Sequence, residues 1–166
     1  KTTTIGFNNY EAGDKYTVFE LGEAVGSSPG IKNEPPRFST VVCYEIIFPH
    51  LVREFVNSGA DFVVNITNDA WFGETMPYQH VSMAPFRAVE NRVYVVRAAN
   101  TGISCFISPA GAFTKTSVLN KEMTISDKIS WRRHGKTFYT KYGDMFAYLC
   151  LMGIAALLAA VKFAKS

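Results

Sequence analysis

From Met145 to Val161 the chain runs for 17 residues without a charge, as MFAYLCLMGIAALLAAV. A stretch of that length sits at the lower edge of the ~17–25 residues that a helix needs to cross a bilayer. Lys162 can snorkel to the interface and Phe163-Ala164 prolongs the apolar stretch, while Tyr142 and Tyr148 fall where interfacial rings belong. A buried core helix is the other home for such a run. This one is apolar all round, and Gly153, Ala155, Ala156, Ala159 and Ala160 supply the small side chains that close packing in lipid uses. A transmembrane helix over 144–164 is therefore expected.

Charge is divided unevenly around that run. Residues 128–166 carry seven basic side chains and one acid, Asp144, whereas residues 1–127 carry ten basic and thirteen acidic ones. A basic tail suits either nucleic acid or a membrane. The basic residues here bracket an apolar run and are not interleaved with a stacking platform, so nucleic acid is excluded as a partner. Aromatic residues make up 14% of the chain, which rules out disorder, and three Cys are too few for a disulfide scaffold. Position 1 is Lys, and Lys1-Thr2-Thr3-Thr4 is not a signal-peptide start; a missing upstream portion is expected.

Up to Pro36 the sequence is turn-rich, with only Tyr16–Leu21 reading as a strand. Phe38–Cys43 is β-branched and apolar, a buried strand. Pro49–Ser58 places Leu51, Val52, Phe55 and Val56 on one helical face and stops at Gly59. Asp61–Thr67 is a second buried strand, so the three segments form a βαβ unit with a parallel pair. Pro77–Arg92 reads as a helix that Pro85 should kink or break. Arg92–Ala99 and Gly102–Ser108 are strands, Pro109-Ala110-Gly111 turns the chain into Ala112–Val118, and Glu122–Ile129 alternates like a final half-buried strand. The expected organisation is an α/β domain within 1–129, a basic irregular juxtamembrane linker over 130–143, and the membrane helix over 144–164.

Cys43 ends a buried strand, at the edge where open α/β sheets place their ligands. A thiol there is either an activated nucleophile or a small buried hydrophobe, and most unpaired Cys are the latter. Glu45 weighs toward function. It lies between an apolar strand and Ile46-Ile47-Phe48, so its carboxylate should be set deep among apolar groups, where it needs a purpose or a partner. Asn65, Thr67, Asn68 and Asp69, followed by Trp71-Phe72-Gly73, end the next strand on the same rim, and would equally suit a capped turn. Arg87, Glu90, Arg97 and Asn100 are expected to pair within the fold. His50 and His80 have no metal-ligand spacing with any Cys or acid, so no metal site is expected. Cys105 and Cys150 read as packing residues.

Two motifs carry a resemblance. Val42-Cys43-Tyr44-Glu45-Ile46-Ile47-Phe48-Pro49 and Asn65-Ile66-Thr67-Asn68-Asp69-Ala70-Trp71-Phe72-Gly73 resemble the nitrilase superfamily and, within it, the bacterial apolipoprotein N-acyltransferases. Gln79-His80, Arg87-Ala88, Glu90-Asn91 and Arg97-Ala98-Ala99-Asn100-Thr101-Gly102-Ile103 continue the likeness, as does Phe138–Asp144 before an apolar helix. The resemblance implies an α-β-β-α sandwich, of which this chain holds part, followed by one C-terminal transmembrane helix. It implies a Glu-Lys-Cys triad in which Cys43 is the nucleophile and Tyr44 and Glu45 support the site. The triad Glu and Lys belong upstream; neither Lys1 nor Lys15, and none of Glu11, Glu20 and Glu23, has the family context.

The implied reaction moves an acyl chain from a phospholipid, through a Cys43 thioester, to the N-terminal amine of a diacylglyceryl-cysteine apolipoprotein. Phospholipid donor, apolipoprotein acceptor and membrane lipid are the implied partners, and no cofactor is expected. Asn68, Asp69, Trp71 and Phe72 are the candidate substrate-binding residues, and Trp71, Phe72, Met76 and Tyr78 suit an apolar lid over an acyl chain. The implied location is the bacterial inner membrane, multi-pass, with the catalytic domain periplasmic. Five basic residues before the apolar run against two after it would by themselves put the domain in the cytoplasm. The alternatives are a small-molecule amidase using the same Cys and an inactive membrane-anchored binding domain. The chain alone is expected to be inactive and poorly folded.

Overall fold

The computed structural model describes residues 13–22, 35–71, 73, 75–131 and 135–164. Six strands form one mixed sheet in chain order: β1 (Phe19–Glu20), β2 (Arg37–Val42), β3 (Phe62–Thr67), β4 (Tyr94–Ala99), β5 (Cys105–Ile107) and β6 (Phe113–Thr116). The β2–β3 and β3–β4 pairs are parallel and the other three are antiparallel. Parallel neighbours need a crossover, and α1 (Pro49–Asn57) and α2 (Met76–Asn91) supply the two.

Both helices cover the same sheet face. α1 starts with Pro49, whose missing N–H costs nothing in a first turn, and buries Val52 and Val56 one turn apart. α2 buries a stripe at helical spacing: His80, Val81, Ala84, Arg87, Ala88 and Asn91. Val52, Val56, Val81, Ala84 and Ala88 meet Val41, Val63, Val95, Cys105 and Ile107 from the strands in one core. Burying each such aliphatic side chain contributes about 1.5–3 kcal/mol. Pro85 neither ends nor interrupts α2. It removes one backbone bond, and the packed stripe on either side holds the helix through it. The β5–β6 turn closes at Gly111, whose φ of 81° suits a residue without a Cβ.

The opposite sheet face carries apolar side chains that no described helix covers. Phe19, Phe38 and Phe62 stack across three strands with ring centroids 5.3 and 5.6 Å apart, and Val42 and Ile66 remain 53% and 45% exposed.

Several expectations need correcting. The strand expected over Tyr16–Leu21 pairs only at Phe19–Glu20. Glu122–Ile129 is not a strand: its residues from 125 onward alternate in exposure, but it joins no ladder. Side chains of β6 hold it instead, Thr114 donating to Asp127 Oδ2 and Lys115 to the Ser126 carbonyl, both 2.6–2.7 Å. The linker is not wholly irregular either, since α3 (Phe138–Tyr142) forms within it. Thr140 is fully buried there, its carbonyl accepting from Arg53 Nε and Asn57 Nδ2 on α1, each at 3.0 Å. Its hydroxyl donates to Asn91 Oδ1 on α2 at 3.0 Å. The last element is α4 (Met145–Ala164), 20 residues with mean hydropathy 2.1 in its most apolar window and no part of that window buried. It is long and apolar enough to cross a membrane.

Candidate active site

Cys43 does not end β2 as a strand residue. It leaves the ladder with φ 49°, in the left-handed region, and opens a 3-10 turn, Cys43–Ile47. A side chain there costs roughly 1–2 kcal/mol, so the surroundings must impose it. They do so on the Cys43 carbonyl. Asn65, opposite Val41 in the β2–β3 register, donates through Nδ2 to the carbonyls of Val41 and Cys43, both at 3.2 Å. His80, from α2, donates through Nε2 to the same Cys43 carbonyl at 3.2 Å.

Behind these two donors the bonds close into a ring. Arg97 lies opposite Asn65 in the β3–β4 register and donates through Nη1 to Asn65 Oδ1. Its Nη2 donates to Asp69 Oδ2 at 2.9 Å, and Asp69 Oδ1 meets His80 Nδ1 at 2.9 Å. Thr67 donates to that same Oδ1 at 3.1 Å, and Arg97 Nε donates to the Ile103 carbonyl at 3.3 Å. The path thus runs from the Cys43 carbonyl through Asn65, Arg97, Asp69 and His80 back to the Cys43 carbonyl. All four side chains are at most 3% exposed. Gly102 is required where it stands, because a Cβ there would overlap the Asp69 carboxylate. A buried ion pair of this kind contributes little net stability, since desolvation offsets the attraction; its effect is to fix geometry.

The other end of the 3-10 turn is also tied down. Arg87 forks onto Glu90 at 2.6 and 2.7 Å and donates through Nη1 to the Ile47 carbonyl at 2.8 Å. The expected pairing of Arg87 with Glu90 is thus present, and it links α2 to the turn that follows Cys43.

Glu45 is a correction. Its side chain is exposed rather than set among apolar groups, because the 3-10 turn carries it outward. It has a partner all the same: the Val42 N–H donates to Glu45 Oε2 at 2.7 Å. Tyr44 is half exposed, with its ring 6.0 Å from that of His80. Asn68 is exposed, and its Oδ1 accepts from the Ala70 N–H and from Asn100, both at 3.1 Å. Asp69, by contrast, lies under the rim with both oxygens occupied by internal partners. Trp71 is 83% exposed. With Val42, Cys43, Ile66, Thr67 and Asn68 it lines an open hollow of about 410 Å³. Phe72 lies outside the described residues. Met76 is half-buried, and Tyr78 borders a different hollow, beside Ile103 and Phe113. Of the suggested lid residues, Trp71 and Tyr78 therefore border different hollows.

Glu20 pairs with Arg37 in register, at the end of β2 away from Cys43, and Lys15 is exposed; Lys1, Glu11 and Glu23 lie outside the described residues. Cys105 is fully buried, and burial pushes its thiol up to about 11, against a smaller opposing pull from Arg97. Nothing in the sequence gives His80 a place beside Cys43, and Arg97 reads there as an ordinary ion-pair residue. The available signal was parity: Asn65 and Arg97 occupy the same inward positions as Val63 and Val95 on apolar strands, where a polar side chain must have a buried partner.

Known proteins resemble this chain. The family model for carbon-nitrogen hydrolases matches residues 2–136. The apolipoprotein N-acyltransferase of Geobacter metallireducens is 48% identical over 130 residues, covering 78% of this chain and 25% of that protein. That of Chlorobaculum tepidum is 34% identical over 166 residues, covering 95% of this chain and 28% of that protein. The chain thus spans about a quarter of the length of these curated relatives. Among solved structures, Saccharomyces cerevisiae Nit3, a member of branch 10 of the nitrilase superfamily, superposes with TM-score 0.53 at 21% identity, covering 68% of this chain and 40% of that one. Matched over most of its length and carrying the nitrilase-superfamily fold, the chain belongs to the carbon-nitrogen hydrolase family.

Proposed function

We propose that the protein to which this chain belongs transfers an acyl chain from a phospholipid to the N-terminal amine of diacylglyceryl-cysteine apolipoproteins, with Cys43 as nucleophile. The observation that carries this reading is the half-buried Cys43, held in a left-handed conformation at the rim by a closed ring of buried partners. The names of the two relatives and the long apolar α4 support it.

The chemistry runs in two halves. The Cys43 thiolate attacks the ester carbonyl of the donor; a C–S bond forms, the ester C–O bond breaks, and the lysophospholipid leaves with the proton taken from the thiol. The acceptor amine then attacks the thioester; a C–N bond forms, the C–S bond breaks, and the amine's proton returns to Cys43. A thiol suits both halves, because it is a strong nucleophile and a good leaving group toward an amine. The family resemblance assigns the general base and the oxyanion-stabilising lysine to a Glu and a Lys upstream. Tyr44 and Glu45 brace the turn that bears the thiol. Asn68, Trp71 and Phe72 border the donor's acyl chain, and Asp69 acts from beneath the rim.

In this reading residues 1–129 are one part of the catalytic domain, and the uncovered apolar sheet face packs on the rest of an α-β-β-α sandwich. The stretch 130–143 connects it to α4, which spans the inner membrane of a multi-pass protein with the domain in the periplasm. The chain by itself is inactive. The test is transfer by the full-length protein in detergent, supplied with phospholipid and a synthetic diacylglyceryl-cysteine peptide. Acylated peptide should form with the wild type and not with Cys43→Ala. Persistent transfer by Cys43→Ala, or turnover of small amides alone, would overturn the proposal.

A further inference from the structure

We propose that His80 is a positioning residue for Cys43, acting through the hydrogen bond from its Nε2 to the Cys43 carbonyl; this rests on the reading of Cys43 as the nucleophile. Three observations converge on it. First, the bond ends on the peptide that joins Cys43 to Tyr44, so it acts on the backbone that aims the thiol. Cys43 sits at φ 49°, and a non-glycine residue stays there only while its surroundings hold it. Second, the ring of His80 is itself fixed. Nδ1 is held by Asp69, and Asp69 is held by Arg97 and Thr67. Asn65, the second donor to the Cys43 carbonyl, is tied to the same Arg97. Third, apolar side chains would fill this part of the core at no greater cost than a buried Arg–Asp pair. Ordinary packing therefore gives no reason for these polar residues.

The described peptide bonds are all trans, so the Tyr44 N–H lies on the opposite side of the peptide from the held carbonyl. The His80 bond thus sets two things at once: the direction of the thiol and the direction of that N–H. Losing it leaves Asn65 alone on that carbonyl, and the loosened 43–44 peptide misplaces both together. Such a change slows attack without removing any group that touches substrate.

The test exploits the two nitrogens of the ring. The side-chain amide of Gln reaches the position of Nε2 and that of Asn the position of Nδ1. His80→Gln therefore keeps a donor for the Cys43 carbonyl, whereas His80→Asn keeps only the contacts made at Nδ1, with Asp69 and Arg97. Both variants and His80→Leu are made in the full-length protein and incubated with phospholipid. Acyl adduct on Cys43 is followed by mass spectrometry at several donor concentrations, and the thermal midpoint is measured alongside. His80→Gln should keep most of the wild-type rate. His80→Asn and His80→Leu should both lose about 100-fold in the maximal rate, with little change in the donor concentration giving half that rate. Equal rates for Gln and Asn, a Leu variant as fast as wild type, or failure of all three to fold would overturn the proposal.

A second readout separates this inference from the reading it rests on. Iodoacetamide labelling of Cys43, referenced to N-acetylcysteine added to the same tube, needs no lipid substrate. If the wild type forms no acyl adduct, the acyltransferase reading fails. The labelling rates should still group Gln with wild type and Asn with Leu, and any other grouping counts against His80.

Discussion

Arg97 and Asp69 are both almost fully out of water and compensate each other at 2.9 Å. Removing one partner strands the other's charge in the interior, which costs about 3–5 kcal/mol. Arg97→Leu should therefore lower unfolding stability by about that amount in urea titrations of the full-length protein; a loss well under 1 kcal/mol would mean the pair is not buried as described. Cys105 gives a pH signature. Its thiol titrates at about 11 folded against an ordinary 9.0, so between those values the unfolded chain loses the proton and the folded one keeps it. Its contribution to stability is intact below pH 9 and lost as pH rises through 11, about 2–3 kcal/mol in all. Comparing wild type with Cys105→Ala across pH 8–11 isolates that slope, and parallel curves would contradict it. At this scale Cys43 was legible in the sequence and the residues that hold it were not. Asn65, His80 and Arg97 come from three elements that only the register of the sheet and the seating of α2 bring together. Glu45 departs from expectation for a related reason: its apolar neighbours in sequence are not its surroundings in space.

Among the elements, the buried parallel strands and the two crossover helices follow from continuous β-branched runs and helical apolar spacing, and they lie where those signals put them. Alternation misled at Glu122–Ile129, because a segment leaning on β6 through side chains shows the same periodic exposure as one in a ladder. The α3 helix escaped notice for lack of apolar periodicity; hydrogen bonds hold it. Thr137 caps it by accepting from the Thr140 N–H at 2.9 Å, and Arg53 donates to the carbonyls of Thr140 and Lys141 at 3.0 and 3.3 Å. That clamp ties the approach to α4 onto the helix layer that covers the sheet. With charge-assisted bonds contributing about 1.5–3 kcal/mol each, Arg53→Ala should speed amide exchange at Lys141 and Gly143 by roughly 10–100-fold while leaving β3 and β4 protected. Unchanged exchange there would mean that the clamp is not what holds α3.

For the whole molecule, the described residues form one helix layer on one sheet, with an apolar face left open and an apolar helix appended. The nitrilase-type fold and the long apolar helix were both readable: the first from the family motifs, the second from the uncharged run. The open face was not, because strands buried on both sides and strands covered on one side read alike. If α4 spans a bilayer, the full-length protein should stay in the membrane pellet through high-salt washing and leave only with detergent; release by salt would favour a soluble amidase instead.

Whether Cys43 carries the acyl chain is read most directly by peptide mass spectrometry of the full-length protein after incubation with phospholipid and no acceptor. One acyl chain is expected on the peptide containing Cys43, sensitive to hydroxylamine, discharged by a diacylglyceryl-cysteine peptide and absent from Cys43→Ala. An unmodified Cys43 peptide in protein that still transfers acyl chains would contradict it.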